Sequence, residues 1–280
     1  MNLVEAIASR YQDFTANEKR IFNLMSSDVK NFALYSIGDI ATRLEISKTT
    51  LMRFAKSCGF NGYSEFKKAL QQEVLLDSSP VCKMKKVISE GEDFDIEEIC
   101  RQEQANITTT FDVLDETDLS RISDLLVSGR NIYTLSWGVS TTIAEIFALR
   151  MKLMGIRCTP ISRRHGTLIE ETSLLRKNDL VLVFEIPPYN REVIEAVKNL
   201  SERKITLVLI TDSPRCPISK YAEIAFSCAT NARFFGNSLT GPLFWVNLVS
   251  SLVIYREKDR VLEILEQQQK IFNDERYYHQ

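Results

Sequence analysis

Short hydroxyl side chains and cations are interleaved between residues 47 and 56 of the sequence. Hydroxyls of this size hydrogen-bond to base edges, and ammonium and guanidinium groups bind phosphate oxygens. On a helix that begins near residue 47, the first turns would present them together, which favours a segment that enters the major groove of double-stranded DNA. The predicted DNA-binding residues are Ser47, Lys48, Thr49, Thr50, Arg53 and Lys56.

The charge of this region differs from that of the whole chain. The 280 residues carry a formal net charge of −2, whereas the segment from Arg43 to Lys68 holds six cations and two carboxylates, a net charge of +4. Phosphate groups respond to local charge and not to the total. The sequence therefore places a basic segment in a chain that is acidic elsewhere.

A second group of polar residues follows two predicted strands in the C-terminal half. Where parallel strands end and helices begin, backbone N–H groups and helix dipoles converge and favour an anion. This pattern predicts a small-molecule site, although capping of a helix by Ser140 is an equal alternative for that residue. The predicted effector-binding residues are Ser136, Gly138, Ser140, Thr141, Glu185, Asn190 and Arg191.

The N-terminal elements that position the first group are helices. Thr15 with Glu18, and Ser36 with Asp39, have the spacing of capping boxes, and Ser47 is placed to cap the next helix. Two short helices would then meet at a tight turn around Glu45, a position at which helix-turn-helix segments usually carry glycine. We expect this helical domain to span residues 1–76 and a linker to span 77–94.

Short apolar runs alternate with helical segments in residues 95–280. This alternation predicts a parallel sheet covered by helices on both faces. We expect helices near 95–114, 118–127, 140–154, 167–176, 190–202 and 217–221, and a long helix or helix pair near 239–272. The predicted strands are Ile132–Leu135, Arg157–Ile161, Leu180–Phe184, Thr206–Ile210 and Ile224–Phe226.

Composition excludes several other classes of protein. Hydrophobic residues make up 44% of the chain, but none of its apolar runs approaches the roughly 18–20 residues of a membrane span. The six cysteines are scattered and the two histidines, His165 and His279, lie far apart, which predicts reduced thiols and neither a metal site nor a cofactor. With no signal-peptide pattern at the start, we expect a cytoplasmic protein.

The N-terminal segment resembles the helix-turn-helix domain of the RpiR family of bacterial regulators. That family shows the pattern Ser-x-x-Thr-[Val/Ile/Leu]-x-Arg-Phe, followed by Gly-Phe-x-Gly-[Phe/Tyr]-x-[Glu/Asp]-Phe-Lys. The remainder, about residues 95–255, is similar to the flavodoxin-like sugar isomerase (SIS) domain of the same family, which binds phosphosugars. The matching residues of the first domain are Ser47, Thr50, Leu51, Arg53, Phe54, Gly59, Phe60, Gly62, Tyr63, Glu65, Phe66 and Lys67.

The chain departs from the SIS pattern at the loop after the third strand. The family usually shows Ser-x-Ser-Gly-x-Thr there, and this sequence has Glu185, Pro187, Pro188 and Asn190 at the corresponding positions. Because proline has no N–H to donate and a glutamate would repel phosphate, the usual phosphate-binding loop is absent. Arg163, Arg164 or Arg191 could supply a replacement charge, and we expect His165 to have no role in catalysis.

The resemblance implies a DNA-binding transcription regulator, a repressor of sugar or phosphosugar genes controlled by a small ligand. Its partners would be operator DNA, an effector that is a candidate phosphosugar, and further copies of the chain in a dimer or tetramer, without a membrane. Two alternatives remain open: a regulator whose SIS-like domain only dimerises, and a phosphosugar isomerase. No paired acid and base residues emerge, so we expect a protein that is not an enzyme.

Overall fold

Helices form the N-terminal part of the chain, and several begin at residues whose side chains cap them. The Thr15 and Glu18 side chains each accept the other's backbone N–H, at 3.4 and 2.9 Å, which confirms the predicted box. Within residues 3–27, 29–77 and 80–90, the helices are α1 Leu3–Ala8, α2 Ala16–Ser27, α3 Val29–Leu34, α4 Ile37–Leu44, α5 Lys48–Ser57, α6 Tyr63–Asp77 and α7 Pro80–Glu90.

The structure is a computed structural model that describes residues 3–27, 29–77, 80–90, 95–163, 166–234 and 236–274. The chain divides into two units, Met1–Glu92 with Phe234–Gly236 and Asp93–Arg233 with Asn237–Gln280. Helix α7 occupies most of the segment that the sequence predicts as a linker.

Aromatic rings hold the core of the N-terminal unit together. The ring of Phe54 on α5 packs edge-on against Phe14 and Phe66, with centroids 5.5 and 5.7 Å apart. Ala41 is buried on α4 and Leu51 on α5, within the same cluster. The buried face of α5 therefore fixes which of its residues face outward.

The C-terminal unit is built on a five-stranded parallel sheet in the order β2-β1-β3-β4-β5. This architecture and strand order confirm the predicted flavodoxin-like fold. The predicted strands are all present with ends that differ by at most one residue, and they are β1 Ile132–Ser136, β2 Cys158–Ile161, β3 Leu180–Phe184, β4 Thr206–Thr211 and β5 Ile224–Ser227.

Alternating residues of the strands enter two separate cores. Leu182 and Val208 pack on one face with α10 and α13, whereas Val183 and Leu209 pack on the other with α12. Helices therefore cover both faces, as predicted. The helices are α8 Ile96–Asp112, α9 Glu116–Val127, α10 Ser140–Leu153, α11 Leu168–Thr172, α12 Arg191–Glu202, α13 Thr240–Arg256 and α14 Lys258–Asp274.

Helix α11 ends four residues earlier than the sequence predicts. The guanidinium of Arg203 donates to the carbonyl oxygens of Thr172 and Ser173, at 2.9 and 3.0 Å. These bonds satisfy carbonyl groups at the end of α11 from outside the helix. The carbonyl groups at this end are therefore bonded by a residue about 30 positions away, which local periodicity does not reveal.

Candidate DNA interface and effector site

Helices α4 and α5 form a tight helix-turn-helix unit whose two starts are capped. The Ser36 Oγ accepts the Asp39 N–H at 3.1 Å and an Asp39 carboxylate oxygen accepts the Ser36 N–H at 2.9 Å. The Ser47 Oγ accepts the Thr50 N–H at 3.1 Å. These bonds confirm the predicted caps and define where α5 begins.

The turn between the two helices passes through Glu45, which has φ 54° and ψ 42°. This left-handed conformation is one that side chains other than glycine and asparagine adopt at a cost. The Ile46 N–H donates to the Ala41 carbonyl at 2.9 Å, and Arg20 of α2 donates to the Leu44 carbonyl at 2.8 Å. The surrounding bonds therefore hold the turn despite the glutamate.

The outward face of α5 carries the predicted DNA-binding residues. Thr50 is half-buried and shares a 2.9 Å hydroxyl contact with Ser47, so these two hydroxyls also support the cap. The remaining members of the group, Lys48, Thr49, Arg53 and Lys56, are exposed. The helix can thus present three cations and the Thr49 hydroxyl to a DNA groove.

Two cations of the basic segment are engaged with Tyr35. The guanidinium of Arg43 lies 5.5 Å from the Tyr35 ring centroid. The Lys67 ammonium donates to the Tyr35 carbonyl, and burial lowers the pKa of Lys67. Both groups keep their charge in these contacts, but their side chains are held at Tyr35 and help to fix the fold.

The amino end of α10 is the first part of the predicted effector site. Gly138 has φ +59°, a conformation that favours glycine, and the helix begins without a side-chain cap. Ser140 is 2% exposed and its hydroxyl makes no hydrogen bond within the described residues. Ser136 is also buried, and its Oγ donates to Thr141 Oγ1 at 3.4 Å. Three hydroxyls therefore lie at a helix start that no side chain caps, although the Thr141 and Thr142 N–H groups donate to the Gly138 and Val139 carbonyls, at 3.1 and 3.2 Å.

A cation lies beside this helix start. The Arg163 guanidinium is 5.6 Å from the ring centroid of Trp137, and its Nη1 is 3.6 Å from Glu192 Oε2. The other oxygen of Glu192 accepts the Leu168 N–H at 2.9 Å. Arg163 is thereby held next to the loop that leads into α10, where it can attract an anion.

The amino end of α12 is closed by its own residues. The Asn190 side chain accepts the N–H groups of Glu192 and Val193, at 2.8 and 3.3 Å, and the Asn190 N–H donates to Glu185 Oε1. Three of the N–H groups that an anion would use are therefore already bonded. An added anion here would have to displace these bonds.

Glu185 lies at the end of β3 and is 2% exposed. Burial raises the pKa of Glu185 to about 8, the nearby charge of Asp212 raises it as well, and the Asn190 N–H acts in the opposite direction. The Tyr189 hydroxyl donates to Asp212 Oδ1 at 2.8 Å. The expectation of a charged Glu185 facing a ligand needs correction, because a carboxyl with this pKa is mostly protonated at neutral pH.

Comparison with known proteins agrees with both parts of the chain. Residues 1–75 match the family model described as the helix-turn-helix domain of the rpiR family, and residues 125–256 match that of the SIS domain.

The chain belongs to the RpiR family of transcriptional regulators. An uncharacterized HTH-type transcriptional regulator of Haemophilus influenzae is 25% identical to it over 265 residues, which are 92% of each chain. The predicted class of DNA-binding regulator is confirmed.

Solved structures show the same fold. The Vibrio vulnificus NanR protein, complexed with ManNAc-6P, covers 98% of both chains with a TM-score of 0.68 and 18% identity. The sugar isomerase domain of an RpiR transcription factor from Sphaerobacter thermophilus covers 62% of this chain and 97% of its own, with a TM-score of 0.59 and 21% identity.

Arg191, another candidate residue of the effector site, is exposed and paired on its own helix. The Arg191 side chain is 92% exposed and its Nε lies 3.1 Å from Glu195 Oε1, one turn further along α12. Arg164 and His165 lie outside the described residues.

In the part of the chain that the structure describes, no group of three His, Cys, Asp or Glu side chains is placed to hold a metal ion. The same ranges contain no helix that is long and apolar enough to span a membrane.

Two residues near the α10 end were missed by the sequence analysis. Trp137 and Glu192 hold Arg163 in place, as described above. The tryptophan in a loop directly after a strand was the available signal, since a large aromatic side chain there has no packing role in the strand. Glu192 gave no such signal, because its partners come from distant parts of the sequence.

Proposed function

We propose that this chain is a cytoplasmic repressor of genes of sugar or phosphosugar metabolism. A pair of α5 helices from a homodimer or tetramer would read the operator, and an anionic small molecule, a phosphosugar, would bind at the carboxyl edge of the sheet. The protein would bind this effector without turning it over.

The amino end of α10 carries the proposal. The positive end of its helix dipole, the three hydroxyls of Ser136, Ser140 and Thr141, and the nearby Arg163 can together bind a phosphate or another anion. The solved NanR complex, which resembles the chain over its length, holds the phosphosugar ManNAc-6P. Since the α12 end is closed, we infer that the anionic group of the effector lies at α10.

The pairing of subunits follows from the size of the DNA interface. One helix of ten residues, α5, reads too few bases to select an operator. Two helices that read half-sites one turn of DNA apart add their binding energies.

A calorimetric titration of the full-length protein with ManNAc-6P and with glucose 6-phosphate tests the effector site. We expect Ser140→Ala to weaken binding of the sugar phosphate that the wild type binds by about tenfold, the effect of one lost hydrogen bond to a charged group. Glu185→Ser should leave the affinity unchanged or raise it. Tight binding that disappears in Glu185→Ser would show that the anion binds at α12 and not at α10.

The DNA interface is tested with Lys48→Ala and Arg53→Ala. Each variant should lose about 1–3 kcal/mol of operator binding free energy while its thermal melting stays close to that of the wild type. Wild-type binding should also fall by orders of magnitude between about 50 and 200 mM salt. Unchanged operator affinity in both variants would remove α5 from the interface.

A regulator whose SIS domain serves only for assembly is the second candidate. The closed end of α12 favours it, because that end no longer offers N–H groups to a phosphate. Calorimetric titrations that show no heat of binding with either sugar phosphate, combined with intact operator binding, would support this second function.

A further inference from the structure

Helix α8 carries polar residues that are buried where it meets the segment between β5 and α13. We call this segment, residues 228–239, the β5–α13 loop; the structure describes it except for residue 235. Asn106 and Thr110 on α8 are both 0% exposed. Buried polar side chains cost free energy unless they are hydrogen-bonded, so their partners define what they do.

Asn106 binds the loop in both directions. Its Nδ2 donates to the Asn231 carbonyl at 2.8 Å, and its Oδ1 accepts the Asn231 N–H at 3.2 Å. The side-chain amide thus pairs with one loop residue as a neighbouring strand would. This geometry fixes both the position and the orientation of the loop backbone.

Thr110, one turn further along α8, continues the pattern. Its Oγ1 accepts the Ala229 N–H at 2.9 Å and donates to the Asn106 carbonyl at 2.7 Å. Gly241 of α13 packs closely against both residues: a Cβ added there would lie 2.7 Å from this Oγ1 and 2.3 Å from the Ala229 carbonyl oxygen. The hydroxyl therefore sits in a space that accepts little rearrangement.

Charged residues extend the same contact. Glu98 pairs with Arg233, and the Ser238 hydroxyl donates to the Glu103 carboxylate. Burial acts to raise the pKa of Glu103, but hydrogen bonds from Ser238, Thr240 and Asn106 bring it below its ordinary value. One face of α8 thus binds the loop at four points.

Asn237 of the β5–α13 loop contacts the loop after β3. The Asn237 side-chain amide donates to the carbonyl of Pro187, which lies in the loop after β3. That loop also contains the bond from the Asn190 N–H to Glu185 that closes α12. Helix α8 therefore bonds the β5–α13 loop, and Asn237 of the same loop bonds the loop after β3.

We propose that Asn106 and Thr110 are positioning residues for the loop of residues 185–190, because they hold the β5–α13 loop whose Asn237 bonds Pro187. This inference rests on the proposed function only in that this loop follows the strand beside β1, whose end leads to the proposed site at α10. The connection itself consists of the bonds described above. Loss of the Thr110 hydroxyl should loosen the 185–190 loop although the two do not touch.

Hydrogen exchange of the full-length protein, followed by mass spectrometry, tests this connection. In Thr110→Val, which keeps the shape of the side chain, amides of residues 229–233 and of 189–190 should exchange roughly tenfold faster, the effect of losing one buried hydrogen bond on a local opening. Amides of β3 and β4 should stay protected. Thr110→Ser, which retains the hydroxyl, should restore the wild-type rates.

Thr172→Val is the matched control. Thr172 is also 0% exposed, and its hydroxyl bonds carbonyl oxygens of its own helix, that of Leu168 at 2.8 Å among them. Its replacement should leave residues 189–190 unchanged. Faster exchange throughout the C-terminal unit in Thr110→Val would show a merely structural role, and faster exchange of 229–233 alone would show that the connection stops at its own loop.

Asn237→Asp tests the contact between the β5–α13 loop and Pro187 separately from the contacts with α8. This variant loses the donor to Pro187 and should speed exchange at residues 189–190 while residues 229–233 keep their protection. Titration of the same variants with ManNAc-6P and glucose 6-phosphate tells the two proposals apart. If the wild type binds neither sugar phosphate, the proposed effector class is wrong, but the exchange pattern still decides whether α8 positions the loop.

Discussion

The amino ends of α10 and α12 lie at the same edge of the sheet, each one directly after a strand and its loop. At α12, Asn190 and Glu185 bond three groups of the segment from within the protein. At α10, the Thr141 and Thr142 N–H groups bond backbone carbonyls of the preceding turn, no side chain caps the helix, and the buried Ser140 hydroxyl has no partner within the described residues. The N–H groups at the start of α12 are bonded by side chains of the protein, whereas the start of α10 has a buried hydroxyl that can still bind a ligand.

The difference lies in the side chains: a side chain that caps a helix start takes the place that an anion would occupy there. The arrangement of strands places both ends where ligands bind in open α/β sheets. The side chains that follow each strand then decide which end is available. In the loop after β3, an asparagine cap and a buried carboxyl bond the N–H groups that an anion would use.

The largest effect is expected from the buried carboxyl of the closed end. Because the folded state raises the pKa of Glu185 from 4.5 to about 8, it holds this proton more tightly than the unfolded chain does. The protonated carboxyl therefore contributes fully to the free energy of unfolding below about pH 4.5, and this contribution is lost as the pH rises to about 8. Asp212, Tyr189 and Cys216 are the titratable groups around it.

Glu185→Gln should remove this pH dependence. Relative to the variant, the wild type should lose about 2–5 kcal/mol between pH 4.5 and 8.5, measured by denaturant unfolding across that range. Glu195→Gln, on the exposed side of α12, should follow the wild type. Parallel curves for wild type and Glu185→Gln would show that Glu185 ionises normally and that the α12 end carries a charge.

A charge placed at the open end should exclude the effector. Thr141→Asp introduces a carboxylate beside Ser136 and should weaken binding of the sugar phosphate by about 100-fold, or about 2.7 kcal/mol, through like-charge repulsion. Thr141→Asn has the shape of Thr141→Asp without the charge and should weaken binding by no more than about tenfold, the effect of the lost hydroxyl. Equal affinities of the two variants in a calorimetric titration would remove the anion from α10.

The smallest effect is expected for the cap of α12. Asn190→Ala should lower the free energy of unfolding by about 1 kcal/mol, because two N–H groups lose their acceptor. Asn190→Asp keeps an acceptor and should retain most of the stability. The affinity for the sugar phosphate should not change in either variant, and a gain in affinity for Asn190→Ala would show that the cap competes with the ligand.

Local sequence patterns were enough to predict much of the fold. The caps at Thr15, Ser36 and Ser47 and the five strands depend on residues within a few positions of each other, and the structure confirms them. Their physical causes, bonding of the first helical N–H groups and burial of short apolar runs, act over the same short range.

The features that were not predicted depend on distant partners. Burial among neighbouring elements raises the pKa of Glu185, and Arg203 bonds the carbonyl groups at the end of α11. Asn106 bonds a residue 125 positions away. Buried polar residues one turn apart on α8, Asn106 and Thr110, were the visible sign, but their partners follow only from the topology.

The edge strand β2 limits how copies of this protein can join. It is four residues long and includes Pro160, which pairs in register with Thr134 of β1 and has no N–H of its own. A short edge interrupted by proline is a poor template for a further strand and protects against aggregation by sheet extension. We therefore expect assemblies of this chain to form through helices, with the sheet remaining a separate unit in each subunit.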